Sequence, residues 1–543
     1  VRERQSRVSR AIERSLEGAT ATYGRALDWG LAHRPAVGIF FVVTLLLAVV
    51  LFYAIPQGFV PVEDKGRIMT LIRAPQGSTG VYTDHAMRKV EEAYASLPEY
   101  AGMFAAIGMG FGEPPNTASG GVFTRLHPWR ERTRTQQEIV AMLQQQFFAI
   151  PQALVFPVNP PSLGQMSISD VEVILRSPSA ERGDFAAVIG RILGRLREAP
   201  GLVNVDTDLR LENPEVDVAF DRERAADLGV PIQAVAESLR LLVSQSPADE
   251  FVLRNRQYDV ITALAGTRRS VPDDLTKIHV RAGNGRMIPL SALIEPRPGI
   301  GATTLNHHDL ERSATINGNL GPGAALGPVL DRVLEVVREE IPQGFTTAFG
   351  GISREYLEST AQVYLTFAIA LLVIFLVLAA QFESFVHPLT ILFSVPLASL
   401  GALLTLWATG QTNNLYTQIG MILLIGLVTK NSILLVDFAN QERARGTALL
   451  EALRGAGRTR FRPILMTSMT SVLGAMPLAL AFGAGAESRR AIGAAVVGGL
   501  FFSTAFTLVV IPVVHFALVR LAERAGINTV PPLVELGSEK PGR

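Results

Sequence analysis

The chain has 543 residues, of which 48% are hydrophobic and 18% are charged, and its formal net charge is +1. Soluble domains carry about 25% charged residues, so this composition favours a membrane protein. The balanced charge gives no indication of a nucleic-acid partner. The absence of cysteine excludes disulfides, Cys-ligated zinc and thiol catalysis. Because Walker, GxSxG and HExxH motifs are also absent, we expect no enzyme activity, no metal centre and no cofactor.

The N-terminal region has no recognisable signal peptide. Its first 34 residues are polar and Arg-rich and lack the apolar core of such a signal. The alternation of charged and apolar positions over Ser9–Leu31 instead predicts an amphipathic helix that lies on the inner membrane surface. Because residue 1 is Val rather than Met, we expect either an excised piece or a start codon translated literally.

Six stretches reach the roughly 20 apolar residues that a transmembrane helix needs. They are Pro35–Ile55, Leu357–Ala380, Phe385–Ala408, Leu415–Ala439, Pro463–Phe482 and Ala491–Leu518. They predict a membrane α-helical bundle of six transmembrane helices. Arginines cluster in the N-terminal tail and in the loop between spans four and five, and the positive-inside rule places both in the cytoplasm. Residues 56–356 then lie outside, which in a bacterium is the periplasm.

A glycine-rich loop occurs early in this outer segment, at Gly108–Gly112 (Gly-Met-Gly-Phe-Gly). No GK[ST] sequence opening a helix follows it, so it is not a phosphate loop. Phe104 and Phe123 flank the loop. Such a cluster predicts either a pocket for hydrophobic ligands or a plug of the domain core.

The rest of the outer segment alternates between strand and helix patterns. Val171–Leu175 alternates like a strand, Phe185–Glu198 has helical periodicity, and Leu202–Leu209 is strand-like again. This order predicts α+β subdomains with ferredoxin-like βαβ units. Pro214–Phe220 begins another strand, and Gly283–Gly285 marks a hairpin turn.

Lys430 is the most informative residue because it lies inside span four, about 15 Å from the cytoplasmic end at 1.5 Å per residue. A charge at that depth is costly unless it is paired, so it indicates function; the alternative is a static ion pair between helices. No acidic residue lies deep in a span, because Asp437, seven residues after Lys430, is more typical of the membrane interface. The partner of Lys430 is therefore expected on another polypeptide or on a missing half.

Arg460 and Thr467 are weaker candidates in and before span five. They lie seven residues apart, which places a guanidinium and a hydroxyl on one helix face. Together they could extend a polar path along the helix. Taken separately, Arg460 is a positive-inside anchor and Thr467 is a hydroxyl that bonds back to helix carbonyls.

Five stretches carry a resemblance to a known family. They are Gly58–Asp64, Phe349–Gly351, Ala380–Phe385, Thr429–Asn440 and Arg460–Ser468. Together they closely resemble the signatures of resistance-nodulation-division (RND) efflux pumps of the hydrophobe/amphiphile exporter branch. The match also follows the order of one large domain and then five spans.

Members of that family repeat one span, a periplasmic domain and five further spans, and this sequence resembles the second half only. The resemblance implies a homotrimer that exports hydrophobic and amphiphilic small molecules, driven by the proton gradient without a cofactor. Lys430 would then pair with two aspartates on a span of the first half. Arg460 and Thr467 match the other proton-relay positions.

The resemblance also assigns sites in the outer segment. Gly108, Gly110 and Gly112 match a switch loop that separates two substrate pockets. Substrate-binding positions are matched by Phe104, Met109, Phe111, Phe123 and Phe156.

The implied organisation is as follows. The chain comprises a cytoplasmic amphipathic segment (1–34), a first transmembrane helix (35–57), porter subdomain 1 (58–164), a discontinuous porter subdomain 2 (165–214 and 303–356), a docking subdomain (215–302), five transmembrane helices (357–519) and a cytoplasmic tail (520–543). The expected partners are the N-terminal half of the same pump, a periplasmic adaptor (membrane fusion) protein and an outer-membrane channel. The expected location is a bacterial inner membrane.

Two alternatives remain open. A heavy-metal or lipid exporter of the same superfamily is one; metal export would favour clustered methionines, whereas Met103, Met109 and Met166 are scattered in a way that is more typical of packing. The other is a transport-inactive half that only docks or assembles with partners.

Overall fold

The structure is a computed structural model that describes residues 7–109, 115–161, 169–178, 182–244, 246–266, 272–302, 304–321, 323–527 and 529. Four residues named above, Gly110, Phe111, Gly112 and Met166, lie outside the described residues.

Helices at both ends of the chain enclose a strand-rich middle. The helices are α1 (Arg7–Ala32), α2 (Arg34–Ala54), α3 (Gly80–Ala95), α4 (Gln136–Phe147), α5 (Arg182–Leu196), α6 (Arg222–Asp227), α7 (Ile232–Leu242), α8 (Leu326–Glu340), α9 (Gly351–Phe382), α10 (Val386–Leu392), α11 (Ser394–Ala408), α12 (Leu415–Ala444), α13 (Leu449–Ala479) and α14 (Ala486–Arg524). The strands are β1 (Arg67–Arg73), β2 (Tyr100–Ile107), β3 (Ser119–Leu126), β4 (Leu154–Val158), β5 (Val171–Ser177), β6 (Leu202–Thr207), β7 (Asn213–Phe220), β8 (Pro247–Leu253), β9 (Arg256–Ile261), β10 (His279–Arg281), β11 (Met287–Pro289), β12 (Ile294–Gly301), β13 (Asn306–His308), β14 (Glu311–Leu320) and β15 (Thr346–Phe349).

Five helical segments of the described chain are long and apolar enough to cross a membrane: α2, α9, α10 with α11, α12 and α14. Each coincides with one of the predicted spans. The remaining predicted span, Pro463–Phe482, falls within α13, which does not belong to these five. The six-span count therefore remains a prediction.

The predicted loop before span five is wrong, because α13 already begins at Leu449. The extra helical turns pack against α1, where Asp28 contacts Arg454 at 2.9 Å and Arg458 at 3.1 Å. Tyr23 also stacks on Phe461 with ring centroids 4.6 Å apart. This packing stabilises as helix a polar stretch that hydropathy alone assigns to a loop.

The first sheet is built from β1 to β4 in the spatial order β2-β3-β1-β4, with antiparallel neighbours. One face carries α3 and α4 and a core that includes Ile68, Ile72, Val122 and Leu143. Met103 packs against the same core. Alternate residues of a strand point to opposite faces of the sheet. The strand residues between these core residues therefore form the face opposite α3 and α4.

The second sheet repeats this pattern with a long insertion. Its spatial order is β6-β14-β5-β15, and β13 pairs with the same strand, β14. The helices α5 and α8 supply much of its core. The strand–helix–strand pattern predicted over residues 171–209 is confirmed by β5, α5 and β6.

The insertion between β6 and β14 forms a separate small core. It pairs β7 with β12, and β10 with β11 around Gly285, so the predicted hairpin turn is confirmed. Its other hairpin, β8–β9, is solvent-exposed along its whole length.

Residues 56–66, here called the junction segment, connect α2 to the first sheet. The Asn413 side-chain amide donates to the Gln57 side chain at 2.9 Å. The backbone N–H of Leu415 donates to the Phe59 carbonyl at 2.9 Å. These bonds fix the junction segment to the N-terminal end of α12.

The junction segment also contacts α14, and α4 with the residues just before it, through two acidic side chains. Ser488, in the first turn of α14, donates a hydrogen bond to the buried Glu63. Arg132 binds both carboxylate oxygens of Asp64, and the Gln136 N–H donates to it at 2.9 Å. Burial would raise the pKa of Asp64, but these hydrogen bonds outweigh it and hold the pKa below its usual value.

Candidate functional site

The helices α12 and α13 are joined by a buried hydrogen bond. The Asn431 amide nitrogen donates to the Ser468 hydroxyl at 2.9 Å, and both residues are buried. The two helices run antiparallel, so this bond sets their register. It places Lys430 and Thr467, each adjacent to a bonded residue, at the same level of the bundle.

Lys430 lies on the outer surface of the bundle formed by this chain. Among the described residues, no carboxylate lies within ion-pair distance of its ammonium group. The flanking Thr429 and Asn431 are buried. Lys430 therefore presents a positive charge on an apolar helix, on a face that the described chain does not cover.

Arg460 lies two helical turns from Thr467 toward the Arg-rich end of α13. Its guanidinium carbon is 4.9 Å from the centroid of the Phe438 ring on α12, a cation–π geometry. Its Nε is buried without a hydrogen-bond partner in the described chain. Arg460 thus links α13 to α12 through its cation–π contact with Phe438. It lies about two helical turns from the Asn431–Ser468 bond, toward the Arg-rich end of α13.

The hydroxyls of α13 divide into two groups. Those of Thr467 and Ser471 donate to carbonyls of their own helix, at 3.1 and 3.0 Å, as a packing role predicts. Ser468 differs, because it accepts from the neighbouring helix. On α12, Asp437 is half-buried and accepts from Gln441 at 2.9 Å.

A second candidate surface lies on the first sheet. Phe104 on β2 is paired with Phe123 on β3, with ring centroids 6.3 Å apart. Phe123 faces Met69, and Phe156 faces Leu71, two residues farther along β1. By strand alternation all five side chains share the face opposite α3 and α4. Phe104 is 59% exposed, so this apolar face is open to solvent at its β2 edge.

The loop after β2 begins at Gly108, which has φ +81° and donates its N–H to the Ser119 carbonyl at 2.8 Å. That left-handed conformation favours glycine. Met109 follows and is half-buried. The loop therefore leaves the sheet at the end of β2, four residues beyond Phe104. The predicted positions Gly110, Phe111 and Gly112 lie outside the described residues.

The apolar helices and the sheet-containing segment between α2 and α9 define a multi-pass membrane protein. Residues 1–520 match the AcrB/AcrD/AcrF family. The chain belongs to this family, which is a family of RND transporters.

A relative with a known sequence extends the comparison. An uncharacterized transporter of Haemophilus influenzae is 30% identical over 511 residues, which cover 93% of this chain and 49% of that protein. The chain thus spans about half the length of the curated relative that it matches.

Two features of the site were missed by sequence reasoning. The amino-acid sequence alone does not identify Ser468 as a hydrogen-bond partner of Asn431, although the two side chains are bonded. The contact between Gln57 and Asn413 was not foreseen either. In both cases an amide inside or next to an apolar span was the available signal, because a buried amide needs a partner.

Proposed function

We propose that the chain is the second half of a proton-driven antiporter that exports hydrophobic and amphiphilic compounds. The observation that carries this proposal is the position of Lys430, a cation on an apolar helix with no carboxylate within ion-pair distance in the described chain. A lysine in that setting requires a negative partner. The first half of the pump would supply it.

The proposed coupling is electrostatic. A carboxylate of the first half attracts the Lys430 ammonium strongly in a medium of low dielectric constant. When the carboxylate binds a proton its charge is lost and the attraction ends. Because Asn431 on α12 binds Ser468 on α13, a displacement of α12 at Lys430 also moves α13. Arg460 and Thr467 lie on α13 and would move with it.

The junction segment offers a route from the helices to the sheets. Gln57 binds Asn413 before α12, and Glu63 binds Ser488 on α14. The Gln57 carbonyl also accepts from the N–H of Gly327, in the first turn of α8 beneath the second sheet. We infer that helix movements reach both sheets through these contacts.

The substrate would bind on the open apolar face of the first sheet. Phe104, Phe123 and Phe156 present aromatic surface there, which suits greasy ligands. The shared strand order of the two sheets supports their assignment as ferredoxin-like porter subdomains. The insertion between β6 and β14 would then be the docking subdomain that meets an adaptor and an outer-membrane channel, in a homotrimer in the inner membrane.

The test is dye efflux from a pump-deficient Gram-negative host that expresses this chain joined to a matching first half. We expect Lys430→Ala to reduce efflux to background, because the proton-sensitive ion pair is lost. Lys89→Ala is the control, since Lys89 is an exposed lysine on α3 that binds Gln152. Unchanged efflux by Lys430→Ala, at equal protein level in the membrane, would contradict the relay.

A further inference from the structure

A cavity of about 560 Å³ opens at the end of the bundle where α12 ends and α13 begins. It is lined by the four residues 446–449 and by Arg443, Arg520, Glu523 and Arg524. Three of the four ionisable side chains in this lining are arginines. The cavity lies far from Lys430, at the Arg-rich end of the helices, and the proposed transport mechanism does not use it.

The charges in this cavity are not balanced by the described chain. Arg443 is buried and binds Glu523 at 2.7 Å and the Thr529 hydroxyl at 3.2 Å. Glu523 is therefore already engaged. Arg520 and Arg524 are exposed, and no described carboxylate lies within ion-pair distance of either.

Arg520 and Arg524, neither of which has a carboxylate partner in the described chain, are also close to each other in sequence. They stand four residues apart on α14, a spacing at which like charges on a helix repel. The N-terminus of α13 lines the same cavity and has no side-chain cap, so its free N–H groups add positive potential. All these groups would be stabilised by one anion in the cavity.

The position of the cavity indicates which anion. Leu521, between the two arginines in sequence, is 65% exposed, so apolar and cationic surfaces adjoin at the end of an apolar helix. That combination is suited to a lipid whose headgroup is anionic, with its acyl chains along the helix. Basic pockets at the cytoplasmic ends of transmembrane helices bind such headgroups.

We propose that this cavity binds the phosphate headgroup of an acidic phospholipid through Arg520 and Arg524, with Arg443 held in place by Glu523. The proposal does not depend on proton antiport, because it concerns binding alone.

The test is native mass spectrometry of the full 543-residue chain in detergent, titrated with phosphatidylglycerol or phosphatidylcholine. We expect bound phosphatidylglycerol to fall roughly tenfold or more in Arg520→Gln/Arg524→Gln, since each surface arginine contributes appreciably to such binding. The matched control is Arg25→Gln/Arg458→Gln, which removes two exposed arginines that neither line the cavity nor adjoin a lining residue in sequence. Binding by the control should equal that of the unmodified chain.

Four results would overturn the proposal. Equal loss in both double variants would mean that net charge alone governs binding. Equal binding of phosphatidylcholine would exclude an acidic lipid as the ligand. Binding of millimolar inorganic phosphate with no binding of phosphatidylglycerol would exclude it as well. Lipid binding that arises only after removal of residues 530–543 would identify that segment as the occupant. Lys430→Ala should leave lipid binding intact, which separates this proposal from the relay.

Discussion

The amide of Asn431 is a polar group placed in an apolar helix bundle, where it is stable only while it is hydrogen-bonded. Asn431 and Ser468 are each 4% exposed. Their bond is therefore made in a medium that cannot replace it with water. This makes Ser468 a determinant of how α12 and α13 are aligned at the level of Lys430.

We expect Ser468→Ala to lower the free energy of unfolding by about 1–2 kcal/mol, because the Asn431 amide would lose its partner. The measurement is thermal or denaturant unfolding of the chain in detergent. Ser471→Ala is the control, since that hydroxyl bonds to the Thr467 carbonyl of its own helix and should cost under about 0.5 kcal/mol. A similar loss of unfolding free energy in the two variants would show that the Asn431–Ser468 bond stabilises the chain no more than a hydrogen bond within one helix.

Lys430 was predictable from the sequence and the Asn431–Ser468 bond was not, for a physical reason. A charge within an apolar stretch is easy to recognise, because the adjacent residues alone show that the charge would be placed in the membrane at a high free-energy cost. The bond joins residues 37 positions apart on two helices. Its existence depends on their relative rotation and depth, which hydropathy does not encode.

At the scale of elements, the crossing of α1 and α13 depends on the small size of Gly457. A Cβ at this position would overlap the side chain of Leu27 and lie 2.7 Å from the Tyr23 hydroxyl, both on α1. Two residues earlier on α13, a Cβ at Gly455 would meet nothing within 4 Å. The two glycines therefore share a helix but differ in whether a methyl group can be accommodated.

We expect Gly457→Ala to destabilise the chain by about 1–3 kcal/mol, because the added methyl group overpacks the contact with Leu27 and Tyr23. Gly455→Ala should instead stabilise it by up to about 1 kcal/mol, since alanine is the better helix former. Unfolding temperature and protease sensitivity of α1 would measure both effects. A stabilising Gly457→Ala would show that α1 is not packed against α13 as described.

Element prediction succeeded where the pattern was local. The second sheet's first strand, helix and strand were predictable because residues 171–209 carry their own periodicities. The start of α13 was not, because a polar helical stretch there packs against α1, which is distant in sequence. Tertiary contacts thus decided the boundary that hydropathy placed at Pro463.

Arg489 and Arg490 lie in the first turns of α14 and have a local structural role. They donate hydrogen bonds to the carbonyls of Ala484 and Ala481, at 2.8 and 2.7 Å. Both carbonyls belong to the connection between α13 and α14. These arginines therefore stabilise the connection between the two helices, a contact that depends on the tertiary structure rather than on hydropathy.

At the scale of the whole molecule, the exposed position of Lys430 and the relative of twice the length lead to one expectation. A charge on an uncovered apolar face is stable in a membrane only if another surface covers and neutralises it. In the family to which the chain belongs, the proposed source of that surface is the first half of the pump. The isolated chain should then lack a proton-sensitive ion pair.

We therefore expect dye efflux from a pump-deficient Gram-negative host only when the chain is joined to a matching first half. The comparison is between the chain alone and the joined protein at equal amounts in the membrane. Efflux by the joined protein alone would mean that a carboxylate of the first half completes the relay. Efflux by the chain alone would assign the partner of Lys430 to this chain. Asp437 would then be the first carboxylate to replace, because it lies seven residues along α12 and is half-buried.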